Sequence, residues 1–262
     1  MGRSPATLNH VRRGAGAPVV LIHGLGSYRR VWEPVLDPIA RERDTIAVDL
    51  PGFGDSPPLP DGTTPTVAAL ADAVARFLEE IEVERPLVVG NSLGGWIALE
   101  LAKRDVTGEV IAISPAGFWS RAELLWLRAQ FAITGFSMRR LRRLSERAAQ
   151  TPRGRRLTAS VFYGHPERVP PADLIAAQRN VAASPGFYPT LDAMVRDRFT
   201  DGAAVREPVT IAWGNLDRLL FPWQARRALG QMPQARYVAL ADGGHVPTWD
   251  VPEELVGLVL GA

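Results

Sequence analysis

One serine in this sequence stands where it could act as a nucleophile. Gly90-Asn91-Ser92-Leu93-Gly94-Gly95 follows the apolar run Leu87-Val88-Val89 and precedes a stretch of helical period. A strand that turns at once into a helix holds its central residue in a strained conformation, with the side chain pointing away from the sheet. Gly90 and Gly94 remove Cβ atoms that would collide there. Ser92 then sits at a helix N-terminus, where free N–H groups and the dipole favour developing negative charge. The plainer alternative is an N-cap serine in a Gly-rich turn, and the rest of the chain has to decide between the two.

A serine hydroxyl is a weak nucleophile without a base. The chain has four histidines, His10, His23, His165 and His245. His10 reads as a surface residue and His165, in Gly164-His165-Pro166, as a loop residue. His245 lies in Asp242-Gly243-Gly244-His245-Val246-Pro247, between the last strand and the last helix, on a Gly-rich loop able to bring an imidazole over Ser92. Asp217, just after the strand that ends at Trp213, is expected to hold the imidazole tautomer and stabilise the imidazolium. Its alternative role is a turn or helix-cap carboxylate. Asp242 is a rival, but too close to His245 in sequence to reach the ring from the far side. Two backbone N–H groups are expected to face a developing oxyanion: that of Leu93, and that of Leu25 in the loop His23-Gly24-Leu25-Gly26. His23 is then the ring that pins this loop. Attack on an acyl carbon is the chemistry such a set performs, and it implies no metal and no organic cofactor.

These groups need a scaffold of strand ends. Short apolar runs at 18–22, 45–48, 87–90 and 110–113 read as strands buried on both faces. They alternate with helical stretches at 30–41, 66–81 (capped by Thr66) and 92–103. Strands at 209–213 and 236–240 and helices at 223–229 and 252–260 resume the rhythm. Strand and helix in alternation mean a parallel sheet with helices on both faces, and function in such sheets collects at the carboxyl ends of strands. Between lies a stretch without β-rich runs: an amphipathic helix over 123–149, loops rich in Pro and Arg, and a helix near 173–183.

Composition narrows the classes. The 262 residues are 46% apolar and 22% charged, enough for one large core with an insertion. A net charge of +2 is too weak to argue for nucleic acid. The absence of cysteine excludes disulfides, Cys-ligated zinc and a Cys nucleophile. Met1 to His10 carries no leader-like apolar run, and no stretch approaches the ~20 apolar residues of a membrane span, so a cytoplasmic protein is expected.

Taken together, His23-Gly24-Leu25-Gly26, Asp49-Leu50-Pro51-Gly52-Phe53-Gly54-Asp55-Ser56, the Ser92 turn, Trp213-Gly214-Asn215-Leu216-Asp217 and Gly244-His245-Val246-Pro247 resemble the serine hydrolases of the α/β-hydrolase fold, in their small, cap-bearing, esterase-like group. The resemblance implies an α/β fold whose mostly parallel central sheet carries helices on both faces, with a helical cap inserted after the sixth strand. Residues 1–115 and 206–262 would form the catalytic core and 116–205 the cap. The order Ser, Asp, His is the order of this fold. Ser92, where some relatives carry Asp, argues against haloalkane dehalogenase or epoxide hydrolase chemistry. Hydrolysis of a carboxylic ester or related acyl bond through an acyl-enzyme is the leading expectation. Asn91 resembles the C–C bond hydrolases of ring-fission products, with Arg179 as the arginine for an acidic substrate, although Gly24-Leu25-Gly26-Ser27 and Val246 depart from that group. A non-catalytic ligand receptor on the same scaffold is the other alternative, and an intact triad counts against it.

The expected partner is a small molecule with an apolar acyl group. Trp126, Phe131 and Phe136, in an apolar stretch that includes Leu141 and Leu144, are expected to wall its pocket. Arg139, Arg140, Arg142, Arg143, Arg147, Arg153, Arg155 and Arg156 face Glu146 alone. The first reading of that run is a solvated helix face whose stems cover apolar surface. Ranked below it is attraction of an anionic substrate or an acidic membrane surface. No oligomeric partner is read from the sequence.

Overall fold

The apolar runs pair into one sheet. The computed structural model describes residues 8–261, without the side chains of Met138 and Arg139. Most of the stretch Met1 to His10, read above for a leader, lies outside the described residues, as do the side chains of Met138 and Arg139. The strands are β1 (His10–Arg13), β2 (Pro18–Ile22), β3 (Asp44–Val48), β4 (Leu87–Asn91), β5 (Glu109–Ile113), β6 (Val209–Gly214) and β7 (Arg236–Leu240). Their order is β1-β3-β2-β4-β5-β6-β7, with β1 antiparallel and the others parallel.

The helices are α1 (Glu33–Ala40), α2 (Val67–Glu80), α3 (Leu93–Ala102), α4 (Arg121–Arg140), α5 (Arg142–Ala149), α6 (Pro152–Ala159), α7 (Pro171–Ala183), α8 (Phe187–Met194), α9 (Ala225–Gln231) and α10 (Pro252–Leu260). Successive strand residues point to opposite faces, and both faces are covered. Val20, Ile22, Val88 and Val110 pack with α2 and α3. Val19, Leu21, Val89 and Ile111 pack with α1 and α10. Truncating Ile22, Leu21 or Ile111 to Ala costs about 2–5 kcal/mol. Thr66 caps α2, its Oγ1 accepting from Ala69 N at 3.1 Å.

The structure corrects the expected elements in several places. β1 is a half-exposed edge strand, too weakly apolar to stand out in sequence. The helical segment α4 to α8 follows the fifth strand among the described residues, one earlier than the expected sixth, because a single antiparallel strand precedes the parallel ones. The stretch read as one helix breaks at Leu141 (φ −115°, ψ 17°) into α4 and α5. α6 occupies a segment read as a Pro- and Arg-rich loop. Pro152 sits at the first helical turn, where its missing N–H costs nothing, and Thr151 Oγ1 caps the turn through Gly154 N. The insertion also has a small core of its own, formed by Ala149, Ala159, Tyr163, Val169 and Leu174 and packed against Val246 and Trp249.

Candidate active site

Ser92 lies at the junction of β4 and α3 with φ 56° and ψ −114°, a conformation that costs a non-glycine residue about 1–3 kcal/mol. Backbone bonds on both sides hold it. Ser92 N donates to Ile113 O at 2.9 Å, and Ser92 O accepts from Trp96 N and Ala116 N. The two flanking glycines are required by close backbone crossings. A Cβ on Gly90 would overlap the Gly94 carbonyl, and one on Gly94 would overlap the carbonyl of Ile22. Gly24 lies directly against the serine, where a Cβ would stand 3.1 Å from Ser92 Cβ.

His245 and Asp217 meet at the ends of β6 and β7. Nδ1 of His245 lies 2.8 Å from Asp217 Oδ2, and both residues are buried. The other carboxylate oxygen accepts from Leu219 N and Leu220 N at 2.9 and 2.8 Å. The carboxylate is thus fixed by two amides, the ring's Nδ1–H points at it, and Nε2 remains the acceptor. The approach again depends on a glycine, since a Cβ on Gly214 would overlap the carbonyls of Gly243 and Gly244. Asn91 joins the two halves: its Nδ2 donates to His245 O at 2.8 Å and to Ile113 O at 3.2 Å. The residue before the serine therefore anchors the backbone of the histidine loop. The Ser92 hydroxyl makes no hydrogen bond to the ring among the described residues. Asp242 is solvent-exposed and near His165, away from the His245 ring.

His23 is fully buried. Leu50 N donates to its Nε2 at 3.0 Å, and its Nδ1 bonds Gly24 O at 2.8 Å. Burial pushes the imidazole below its ordinary value, against the pull of the Gly24 bond and of Asp49, so the ring is neutral and ties the ends of β2 and β3 together. Among the described residues no acceptor is paired with the amides of Leu25 or Leu93, the two expected oxyanion donors.

Two residues that sequence reasoning missed tie these loops to the insertion. Asn180 on α7 donates from Nδ2 to Gly26 O and Ser27 O, both at 3.0 Å. Buried Asp250 accepts from Gly244 N, Gly164 N and His165 N, all at 2.8 Å. Val246 N also donates to Phe162 O at 2.8 Å. Asp250 lies close behind His245 in the Pro247-Thr248-Trp249-Asp250 segment and was not singled out, since a lone carboxylate before a helix usually reads as a cap.

A cavity of about 560 Å³ lies between the insertion and the loop after β2. Its walls are mainly apolar, with Leu25 and Val246 at the core side and Phe131, Leu144, Val181 and Phe187 from the insertion. Of the three expected pocket residues, Phe131 lines it, with its ring 5.8 Å from Phe187. Trp126 does not. It points away to donate to Arg218 O at 3.0 Å and packs near Phe221. Phe136 does not either, and is 60% exposed. Both follow the helical period of α4, but fall outside the strip that faces the cavity. Arg179 is exposed and paired with Glu146 at 2.9 Å, so it is not available to a buried acid. Arg155 is buried and used structurally, donating to Ala149 O and Glu167 O. Among the described residues no three His, Cys, Asp or Glu form a group able to hold a metal ion.

The comparisons with known proteins agree with this architecture. The sequence model described as "Alpha/beta hydrolase family" matches residues 19–258. The epoxide hydrolase EphH of Mycobacterium tuberculosis is 30% identical over 201 residues, covering 73% of this chain and 92% of that protein. The dihydrolipoyllysine-residue acetyltransferase component of the acetoin cleaving system of Cupriavidus necator is 43% identical over 115 residues, but the match spans 42% of this chain and only 30% of that protein's length. In structure, a thermophilic esterase from Thermogutta terrifontis superposes with a TM-score of 0.75 over 100% of this chain and 97% of its own. At 22% identity this shows the shared fold alone.

Proposed function

The chain belongs to the alpha/beta hydrolase family, and from that premise we propose that it is a serine hydrolase of carboxylic esters with an apolar acyl group. The observation that carries the reading is the 2.8 Å contact of His245 and Asp217 on a loop that Asn91, the neighbour of the strained Ser92, holds in place. In this reading Ser92 Oγ attacks the ester carbonyl while His245 Nε2 takes its proton. Asp217 holds the ring's other N–H and stabilises the imidazolium. The oxyanion is met by the N–H groups of Leu25 and Leu93. His245 then protonates the leaving alkoxide, and water, activated by the same ring, frees the acid from Ser92.

The chemistry of the nucleophile favours an acyl bond over an epoxide. Opening an epoxide with a serine hydroxyl would leave an ether on the enzyme, which His245 and water cannot hydrolyse. An acyl-serine ester can be hydrolysed. The pairing of Arg179 with Glu146 removes the feature that favoured an acidic C–C substrate. Asn91, the other feature behind that reading, has a structural task. The insertion, acting as a cap, supplies the acyl cavity.

The test is turnover of p-nitrophenyl esters from acetate to palmitate by the protein and by Ser92→Ala. The expected result is measurable hydrolysis that falls by about 10⁴-fold or more in the variant. Equal turnover by both proteins, or none by either, rejects the reading.

A further inference from the structure

The mouth of the cavity is built from side chains that proteins ordinarily cover. Ile133, Leu141, Leu144 and Leu157 line the cavity and are also exposed to solvent, Leu157 by 84%. A residue that both walls a cavity and faces water marks its opening. Phe136 stands beside them in the last turns of α4.

Cations flank this apolar rim. On α5, Ser145 and Ala149 face inward and are buried, so the helical period puts Arg143 and Arg147 on the outer side, next to Leu144, and Arg140, the last residue of α4, is exposed as well. On α6, Arg153 is one turn from Leu157 and is exposed as well. None of these four guanidinium groups has a carboxylate partner among the described residues. Glu146, the one acid between residues 125 and 160, is taken by Arg179 and Arg142.

A solvated helix face accounts for the arginines but not for the bare Leu and Phe side chains among them. A second protein surface would need carboxylates and an apolar patch in register. An anionic bilayer meets both needs at once: acyl chains take the apolar rim, and lipid phosphates take guanidinium groups in paired hydrogen bonds. We propose that the mouth of the cavity is a docking surface for an anionic lipid bilayer, with Phe136, Leu144 and Leu157 entering the acyl boundary and Arg140, Arg143, Arg147 and Arg153 on the headgroups. No helix among the described residues is long and apolar enough to cross a membrane, so the contact is peripheral. An apolar substrate would then pass from lipid into the cavity without crossing water. That consequence rests on the acyl-hydrolase reading, whereas the docking itself does not.

The test is sedimentation of the full chain with vesicles of phosphatidylcholine containing phosphatidylglycerol, against phosphatidylcholine alone. Ser92→Ala protein is run in parallel, so that the binding result stands or falls apart from any hydrolysis. Binding is expected to the anionic vesicles in both proteins and to weaken as salt is raised. Arg143→Gln/Arg147→Gln should lose affinity by about 30-fold, near fivefold per arginine. Phe136→Ser should lose about tenfold. Neither change touches the cavity, so turnover of p-nitrophenyl acetate by each variant should match the parent. Absence of vesicle binding, or equal binding to both lipid mixtures, overturns the proposal. Loss in the arginine variant with none in Phe136→Ser also overturns it, by making the face a general polyanion site. A dimer in solution that Phe136→Ser dissociates overturns it in favour of a second copy of the chain.

Discussion

The parallel-sheet core and the helical insertion solve the burial problem differently. In the core, both faces of the sheet are sealed, and backbones cross so closely that Gly90, Gly94 and Gly214 admit no side chain. In the insertion, the cluster around Tyr163 and Leu174 is compact and Phe131, Phe187 and Phe199 are buried against the core, while Ile133, Phe136, Leu144 and Leu157 remain in water. Yet the two regions are joined at the loops of the candidate site. Asn180 holds the loop of Leu25, and Asp250 and Phe162 hold the loop of His245. The insertion is therefore loose at its outer surface and firm where it touches the loops of Leu25 and His245. The same helices can present an open mouth without disturbing the residues beneath.

That contrast can be broken at its joints. The largest effect is expected from Asp250→Asn. One of its oxygens becomes a donor facing backbone N–H groups, which should cost about 2–3 kcal/mol of stability. Freed from this anchor, the His245 loop should drift, and kcat should fall by about tenfold to a hundredfold with KM little changed. Urea unfolding and ester kinetics on the same preparation check both; unchanged kcat in a destabilised protein would confine Asp250 to a structural role.

A smaller effect is expected where α4 starts. Glu123 closes the capping box with Ser120, accepts from Trp223 Nε1 at 2.6 Å and pairs with Arg227. Although burial opposes ionisation, these bonds hold its carboxyl at about 2, against an ordinary 4.5. Because the folded value is depressed, the stabilisation is fully present above 4.5 and is lost as pH falls from there toward 2. After allowance for partial exposure, Glu123→Gln should cost about 1 kcal/mol at neutral pH. The gap to the parent protein should close in acid, as read by urea midpoints across that range.

The smallest effect on stability is expected at the rim. Leu157→Ser should move the unfolding free energy by no more than about 0.5 kcal/mol, since the side chain is already in water. The same change should shift the chain-length preference toward shorter acyl esters in the p-nitrophenyl series. A stability loss comparable with that of a buried leucine would mean that this face is covered in solution.

The sequence made local chemistry legible and left long-range contacts dark. The Ser92 turn, the Gly-rich loop of His245 and the pinning role of His23 each follow from a few adjacent residues, and so do the strands whose apolar runs are unbroken. Asn91 could be read only as an echo of another enzyme group, because its partner, His245, lies far along the chain and hydrogen-bonds through a backbone carbonyl that no side-chain pattern announces. Asp250 and Asn180 were invisible for the same reason. Trp126 and Phe136 show the opposite error: helical period identifies an apolar side chain but not what lies opposite it. α6 was legible in principle, since Thr151 before Pro152 is a start signal, but its arginine content suggested a loop.

The sheet order has a consequence for how the chain is made. β1 to β5 form a contiguous half-sheet, and β5 gains its second neighbour, β6, only after the whole insertion has been synthesised. At about 5–20 residues per second, the roughly 95 residues between Ile113 and Val209 take on the order of 5–20 s. For that interval the nascent protein carries the strained serine turn beside a bare apolar strand edge, a template for pairing with other chains. Its greatest exposure to misassembly therefore falls on the ribosome, before the histidine that would complete the site has been translated.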